Sequence, residues 1–122
     1  MGAQPIHEIA RKKLKPLYEG SGGPSLNFLM DLIAKPTTTA WYWEDHAEAV
    51  ASAWFTHVGD EAELIDIRVA ENKRRMGLAA ALLRFALEAL MGNGLTVCRL
   101  EVRQSNQAAR KLYESLGFEV TG

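Results

Sequence analysis

The chain has 122 residues, of which 48% are hydrophobic and 24% are charged, and its formal net charge is −1. This length suffices for one hydrophobic core and is too short for a second, so we expect a single domain over residues 1–122. A charge near zero argues against a general nucleic-acid or membrane surface, because binding to a polyanion needs a concentrated excess of Lys and Arg. The sequence shows neither an apolar run of about eighteen residues nor a signal-peptide pattern, so the expected compartment is the cytoplasm.

The first third of the chain has the hydrophobic spacing of two helices. Apolar residues recur at helical spacing from Ile6 to Leu17. Because proline lacks a backbone N–H and clashes with the preceding turn, Pro16 predicts that this helix kinks or ends near Lys15. Ser25 follows a loop rich in Gly and Ser and is placed to cap a second helix.

The hydrophobic period then changes from helical to alternating, which predicts three antiparallel strands in meander order. In the first strand Trp41 and Trp43 share one face and Tyr42 lies on the other. Alternating aromatic residues on strands are usually core residues, although these could also line a substrate groove. The predicted strands cover residues 37–43, 49–58 and 62–69.

A long amphipathic helix is predicted to begin near Gly77 and to stop at the glycine-rich residues 92–94. A strand over 96–102 and a last helix, capped by Ser105 or Asn106, complete the order ααβββαβα. The long helical crossover predicts that the strands on either side of it are parallel, since such crossovers connect parallel strands. The sequence therefore indicates an α/β fold with a mixed sheet.

A short motif running from Arg74 to Ala79 joins the last meander strand to the long helix. Gly77 and Ala79 lack bulk, so backbone amides can approach a ligand closely there. The free N–H groups of the first helical turn, together with the helix dipole, form a site for an anion such as pyrophosphate. Glycine and alanine are also common at helix starts, and the motif alone favours that simpler interpretation.

The segment 100–118 places a base and a weak acid close together in sequence. Glu101 lies at the end of a strand, and Tyr113 lies on the apolar face of the following helix. A proton acceptor beside a proton donor is suited to acyl transfer. The structural alternatives are an exposed strand carboxylate paired with Arg99 or Arg103, and a tyrosine that only packs in the core.

Taken together, these motifs resemble the GNAT family of acetyl-coenzyme A dependent N-acetyltransferases. Arg74, Gly77 and Ala79 fill the three positions of that family's phosphate loop, Q/R-x-x-G-x-G/A. Residues 100–106 and 112–118 are similar to the L-E-V-R-x-S-N and L-Y-E-S-L-G-F elements of the RimI-type ribosomal-protein-alanine N-acetyltransferases. The resemblance covers roughly half the chain and ends at residue 118.

The resemblance implies a mixed central sheet flanked by helices, acetyl-CoA as co-substrate, and an amine as acceptor. It also implies that Glu101 is the general base and Tyr113 the general acid. A strand edge would contact the pantetheine arm through its main chain, and the loop after it would hold the pyrophosphate. The implied cofactor-binding residues are Ile67, Arg68, Val69, Arg74, Arg75, Met76, Gly77, Leu78, Ala79, Ala80 and Asn106.

The acceptor is left open between three possibilities. An α-amine, with an unperturbed pKa of about 7.7 to 8.0, loses its charge more easily than a lysine side chain, which favours a protein N-terminus. A small-molecule amine as acceptor is the second possibility, and a non-catalytic module that binds coenzyme A is the third. The histidines and Cys98 show no metal-ligand spacing, so no metal is expected.

The chain departs from the family pattern at both ends. It opens in a helix-like segment, which predicts that the family's first strand is missing, and it stops at Gly122 before the last two strands. An uncovered sheet edge is an aggregation liability unless another chain pairs with it. We therefore expect a homodimer.

Overall fold

A computed structural model describes residues 3–7, 10–20, 23–74, 77–101 and 107–118. Within this part of the chain, the strands form one five-stranded sheet in the order β1-β2-β3-β4-β5. The strands are Gln4–Pro5 (β1), Thr38–Asp45 (β2), Glu48–Val58 (β3), Glu61–Val69 (β4) and Val97–Arg99 (β5). The helices are Arg11–Tyr18 (α1), Leu26–Ile33 (α2), Leu78–Gly92 (α3) and Gln107–Ser115 (α4).

The sheet is mixed, as the sequence predicts. β2, β3 and β4 form an antiparallel meander, and β5 pairs with β4 in parallel after the α3 crossover. Helices cover both faces, because each face of the sheet is apolar and needs burial. The predicted α/β fold with helices flanking a mixed sheet is therefore confirmed.

Two hydrophobic cores lie on opposite faces of the sheet. One lies beneath α3 and α4 and contains Trp41 and Phe55, with Trp43 packed against it. The other lies beneath α1 and α2 and contains Tyr42 and Trp54. The predicted alternation of Trp41, Tyr42 and Trp43 between faces is thus confirmed, and the buried tryptophans are core residues.

The prediction that the first strand is missing was wrong. β1 pairs antiparallel with Trp41 and Tyr42 at the edge of the sheet. A two-residue strand shows no alternation from which it could be recognised, and Pro5 is tolerated because an edge strand has backbone positions without a ladder partner. Ile6 follows as an extended, buried residue whose N–H donates to the Ala40 carbonyl at 2.9 Å.

The first helix rules out one of the two outcomes predicted at Pro16. α1 runs from Arg11 through Pro16 to Tyr18, so it does not end near Lys15. Proline removes one backbone donor, and the buried Leu14 and Leu17 on either side of it hold the turn against the sheet. Most of α1's stability therefore comes from tertiary packing.

The second helix begins as predicted. The Oγ of Ser25 accepts a hydrogen bond from the Phe28 N–H at 3.1 Å, which satisfies one of the free donors of the first turn of α2.

Candidate functional site

β4 and β5 separate after a short parallel ladder. Their rungs are Glu61–Val97, Ala62–Cys98 and Glu63–Arg99, and no later rung exists among the described residues. From residue 64 to 69, β4 therefore has no described partner on its β5 side, and we call this side of the strand the gap. In open α/β sheets, ligands bind beyond the carboxyl ends of the strands where the connectivity changes, and this gap occupies such a position.

A β-bulge sets which side chains β4 turns toward each face. The pairing with β3 skips Ile65, so the alternation of side chains changes there. Ile67 and Val69 pack on the face covered by α3 and α4. Asp66 and Arg68 lie on the opposite face, where both contact α1. The main chain of the three predicted pantetheine residues therefore borders the gap, while the Arg68 side chain points away from α3.

The segment that follows β4 folds back on the end of that strand. Arg74 is exposed, and its Nε donates to the Val69 carbonyl at 3.4 Å. Gly77 has a φ of +73°, and a Cβ built there would meet nothing within 4 Å, so the backbone faces open space. Arg75 and Met76, predicted pyrophosphate residues, lie outside the described part of the chain.

The start of α3 lacks a side-chain cap, because its N-cap residue is Gly77. The first intrahelical bond runs from the Ala81 N–H to the Gly77 carbonyl at 3.0 Å, so the N–H groups of Leu78, Ala79 and Ala80 have no helical partner. Unpaired donors, the positive end of the helix dipole and the open space at Gly77 fit a pyrophosphate.

Tyr113 is buried on α4 within the core beneath α3 and α4. Its ring packs edge-on against Phe118, with centroids 5.9 Å apart. Burial, and to a smaller extent the charge of Asp66, raises the pKa of the phenol above its usual 10. The phenol is therefore protonated at neutral pH, which a proton donor requires.

Glu101 lies two residues beyond the last β4–β5 rung and is exposed. One of its two predicted structural partners, Arg99, pairs instead with Glu61 at 3.0 Å. The other, Arg103, lies outside the described part of the chain. Glu101 lines a cavity of about 1110 Å³, and Phe118 lines the same cavity. Phe118 therefore connects the neighbourhoods of Tyr113 and Glu101.

The cavity beside Glu101 does not contain the predicted cofactor residues. Its other walls come from the first residues of β4, from β5, from the C-terminal half of α3 and from the residues after α4. Residues 67–69 and 77–80 lie elsewhere, at the carboxyl end of β4 and the start of α3. Asn106 and the flanking residues 102–105 lie outside the described part of the chain. The predicted role of Asn106 stays a prediction.

A buried polar cluster on the α1/α2 face was not predicted from the sequence. The Tyr18 hydroxyl donates to Asp66 Oδ2 at 2.9 Å and accepts from Trp54 Nε1 at 2.8 Å. It also lies 2.7 Å from Ser52 Oγ, and the Arg68 guanidinium lies over the Tyr18 ring at 4.0 Å. We call these five residues the Tyr18 cluster. The available signal was the pair Asp66 and Arg68 in the otherwise apolar residues 64–69 of β4.

Burial raises the pKa of both acids in the Tyr18 cluster. Tyr18 stays protonated far into the alkaline range, chiefly through desolvation and then through the charge of Asp66. Desolvation also raises the pKa of Asp66, while hydrogen bonding from Tyr18 and the charge of Arg68 oppose the rise. The cluster therefore tolerates little loss of its mutual hydrogen bonds.

Within the described residues, Cys98 and the acidic side chains give no indication of a second catalytic or metal-binding site. Burial raises the pKa of the Cys98 thiol to about 11, so the thiol is protonated at neutral pH, as befits a packing residue. In the ranges the structure describes, no group of three or more His, Cys, Asp or Glu side chains is arranged to hold a metal ion. None of the described helices combines the length and apolar character that a membrane span requires.

The sequence model of the acetyltransferase (GNAT) family matches residues 4–118, which is nearly the whole chain. The chain belongs to the GNAT family. The membership predicted from the phosphate loop and from the segment 100–118 is thereby confirmed.

Among GNAT proteins, the chain is similar to the [ribosomal protein bS18]-alanine N-acetyltransferase of Escherichia coli K12, with 49% identity over 59 residues. That match spans 48% of this chain and 40% of the relative. The chain is also 30% identical over 118 residues to a mycothiol acetyltransferase of Thermobispora bispora, and this match covers 96% of this chain and 36% of that protein. The crystal structure of the ribosomal-protein-S18-alanine N-acetyltransferase from Escherichia coli superimposes with a TM-score of 0.84 at 26% identity, covering 99% of this chain and 79% of that one.

Proposed function

We propose that this GNAT chain transfers an acetyl group from acetyl-CoA to a primary amine, most specifically the α-amine of a protein N-terminus such as that of a ribosomal protein. The observation that carries the proposal is the stretch of β4 from residue 64 to 69, which has no described partner on its β5 side and precedes the start of α3, where no side chain caps the helix. Coenzyme A has an extended pantetheine arm with amide groups, followed by a pyrophosphate. These two parts of the cofactor match the strand edge and the helix start in the same order.

The cofactor side of the site is formed by backbone more than by side chains. The main chain of Ile67, Arg68 and Val69 would pair with the pantetheine amides as a strand pairs with a peptide. The first-turn N–H groups of α3 would hold the pyrophosphate, with Arg74 nearby. In this proposal Arg75, Met76 and Asn106 complete the contacts. Acetyl-CoA supplies an acyl thioester, whose carbonyl carbon is activated toward amines.

The acid–base chemistry falls to two side chains. Glu101 takes a proton from the acceptor ammonium, directly or through water, so that the neutral nitrogen can attack the acetyl carbonyl. The C–N bond forms as the C–S bond breaks, and Tyr113 gives its proton to the departing sulfur. The attacking nitrogen then loses a proton, which returns to the Tyr113 phenolate directly or through water, and Glu101 releases its own proton to solvent. The products are the acetylated amine and the thiol form of coenzyme A.

The α-amine acceptor is supported by two considerations. The match to the bS18-alanine N-acetyltransferase is 49% identical over its 59 residues. An α-amine also has a pKa of about 7.7 to 8.0, so an exposed carboxylate such as Glu101 removes its proton more easily than it would remove one from a lysine side chain. Ribosomal-protein acceptors would place the reaction in the cytoplasm.

A small-molecule amine is the second candidate acceptor. The similarity to a mycothiol acetyltransferase extends over 96% of this chain, farther than the match to the ribosomal-protein enzyme. A carboxylate base on an exposed strand end serves either acceptor.

A screen that measures release of the coenzyme A thiol distinguishes the candidates. Acetyl-CoA is mixed in parallel with a peptide carrying an N-terminal alanine, the same peptide with its N-terminus blocked, and a panel of free amines. Turnover with the unblocked peptide alone supports the α-amine. Turnover only with free amines moves the acceptor to the second class, and binding of coenzyme A without turnover indicates a non-catalytic module.

A homodimer remains part of the proposal. β5 is an edge strand of the described sheet, and nearby Val97 and Met91 are exposed apolar residues. An uncovered edge of this kind favours pairing with another chain. Light scattering at micromolar concentration checks the oligomeric state, and a stable monomer would remove the dimer.

A further inference from the structure

We propose that Arg68 is a positioning residue, whose side chain clamps the loop between α1 and α2 onto β4 and so fixes that loop beside the acetyl-transfer gap. This role rests on the proposed function, because the loop matters for catalysis only if an acceptor reaches the gap. The structural part of the proposal is testable without turnover.

The clamp begins with a direct contact between strand and loop. The Arg68 Nη2 donates to the Pro24 carbonyl at 2.7 Å, across the interface between β4 and the loop. A Cβ on Gly23 would lie 3.1 Å from the same Nη2 and 3.9 Å from Asp66 Oδ1. The loop backbone therefore rests directly on the Asp66–Arg68 pair, and the φ of +80° at Gly23 favours glycine at that contact.

The guanidinium makes two other contacts, and a hydrogen bond between their two partners joins them. Its Nε donates to Asp66 Oδ2 at 3.3 Å, its plane covers the Tyr18 ring, and Tyr18 in turn donates to the same Asp66 oxygen. The side chains of Arg68 and Asp66 are only 9% and 10% exposed. A planar, delocalised cation can stack and donate in several directions at once, which a lysine ammonium cannot do.

The position of Arg68 in β4 connects this clamp to the proposed reaction. Its main chain lies in the stretch of β4, residues 64–69, that has no described partner on the β5 side, whereas its side chain crosses to the α1/α2 face. In this proposal the acceptor amine reaches the thioester past the clamped loop. One residue thus fixes the distance between the edge that would hold the thioester and the loop beside the approaching amine. Small errors in such a distance lower reaction rates strongly.

The test compares Arg68→Met, Arg68→Lys and the control Lys13→Met. Methionine keeps the aliphatic length and removes both the charge and the donors. Lysine keeps the positive charge but lacks the forked donors of the guanidinium and its stacking on the Tyr18 ring. Lys13 lies on α1 and forms a 2.7 Å pair with Glu44 outside the Tyr18 cluster, so its substitution also removes a cation from this face.

In Arg68→Met we expect the acceptor KM to rise and kcat to fall, so that kcat/KM for the acceptor drops by roughly tenfold or more. The Kd for coenzyme A should change by less than about threefold, because the backbone edge and the start of α3 stay in place. Arg68→Lys should recover part of the loss, and Lys13→Met should match the wild type. A role limited to folding would instead change coenzyme A binding and acceptor kinetics together.

Hydrogen exchange of the backbone amides of residues 19–25 provides a readout that needs no catalysis. We expect faster exchange there in Arg68→Met with the coenzyme A Kd retained. Unchanged exchange together with unchanged acceptor KM would overturn the clamp. If wild-type protein acetylates no amine while Arg68→Met still accelerates loop exchange, the proposed function fails and the structural clamp stands, so the two failures are distinguishable.

Discussion

Among the described residues, Glu63 and Arg99 form the last rung of the parallel ladder between β4 and β5. Beyond this rung β4 continues to Val69 without a described β5 partner, while β5 ends at Arg99 and Glu101 follows two residues later. The separation of two parallel strands therefore brings a backbone edge and a carboxylate to the same end of the sheet.

Replacing Glu101 by Gln should lower kcat/KM for an N-terminal alanine peptide by about a hundredfold near pH 7, because a positioned base contributes on that order. The deficit should shrink as the pH rises through about 8, since the α-amine then loses its proton to solvent. Thiol release measured between about pH 6.5 and 9 checks both the size and the trend. Glu88→Gln on the exposed side of α3 is the control, and an equal deficit at every pH would contradict the base role.

Replacing Tyr113 by Phe removes a proton donor and leaves the ring that packs against Phe118. We expect kcat to fall by roughly a hundredfold, with the KM for acetyl-CoA changed by less than about threefold. Tyr42→Phe, on the other face of the sheet, controls for loss of a hydroxyl from a buried tyrosine. If the Tyr113 variant turned over at the wild-type rate, the acid would have to be another group.

Replacing Gly77 by Ala should weaken binding of coenzyme A by about tenfold. The new methyl group would occupy the open space at the start of α3, and the φ of +73° would cost roughly 1–2 kcal/mol in any L-residue. Gly20→Ala is a matched control, because Gly20 has a φ of +70° and equally open surroundings in another loop. Calorimetric titration measures the affinity of the Gly77 and Gly20 variants for coenzyme A. Equal affinity in both variants would argue against a pyrophosphate at α3.

Replacing Tyr18 by Phe should destabilise the fold by roughly 2–3 kcal/mol, since Asp66 loses a donor and Trp54 loses an acceptor in a buried site. The wild type should also lose stability above about pH 10, because burial raises the pKa of Tyr18 in the folded state while the unfolded chain ionises there and releases its proton. Urea unfolding at several alkaline pH values tests this. The free energy of unfolding should fall less steeply with rising pH in the Tyr18 variant than in the wild type. Identical slopes would exclude Tyr18 as the source of the pH dependence.

The elements with strong periodicity were predictable from the sequence. The meander, α3 and the faces of Trp41, Tyr42 and Trp43 follow from burial at spacings of two and 3.6 residues. β1 was not predictable, because two residues carry no period and their strand depends on the edge offered by β2. The sequence left open whether α1 would kink or end at Pro16, and the helix continues because buried leucines on either side outweigh one lost hydrogen bond.

The candidate site was predictable only where it is local in sequence. The motif from Arg74 to Ala79 and the segment with Glu101 and Tyr113 each lie within one strand–helix unit. The Tyr18 cluster joins Tyr18 to Ser52 and Asp66, which lie 34 and 48 positions later, and the bulge at Ile65 decides that Asp66 faces Tyr18. Neither the tertiary contact nor the bulge has a local signal beyond two charges in the otherwise apolar residues 64–69.

The most direct test of the proposed acetyl transfer is mass spectrometry of an N-terminal alanine peptide incubated with acetyl-CoA and the protein, with thiol release followed in the same reaction. The account predicts one acetyl group on the α-amine, release of one thiol for each acetylated peptide, and no product when the N-terminus is blocked. Binding of coenzyme A without acetylation of this peptide or of any amine in the screen would contradict it.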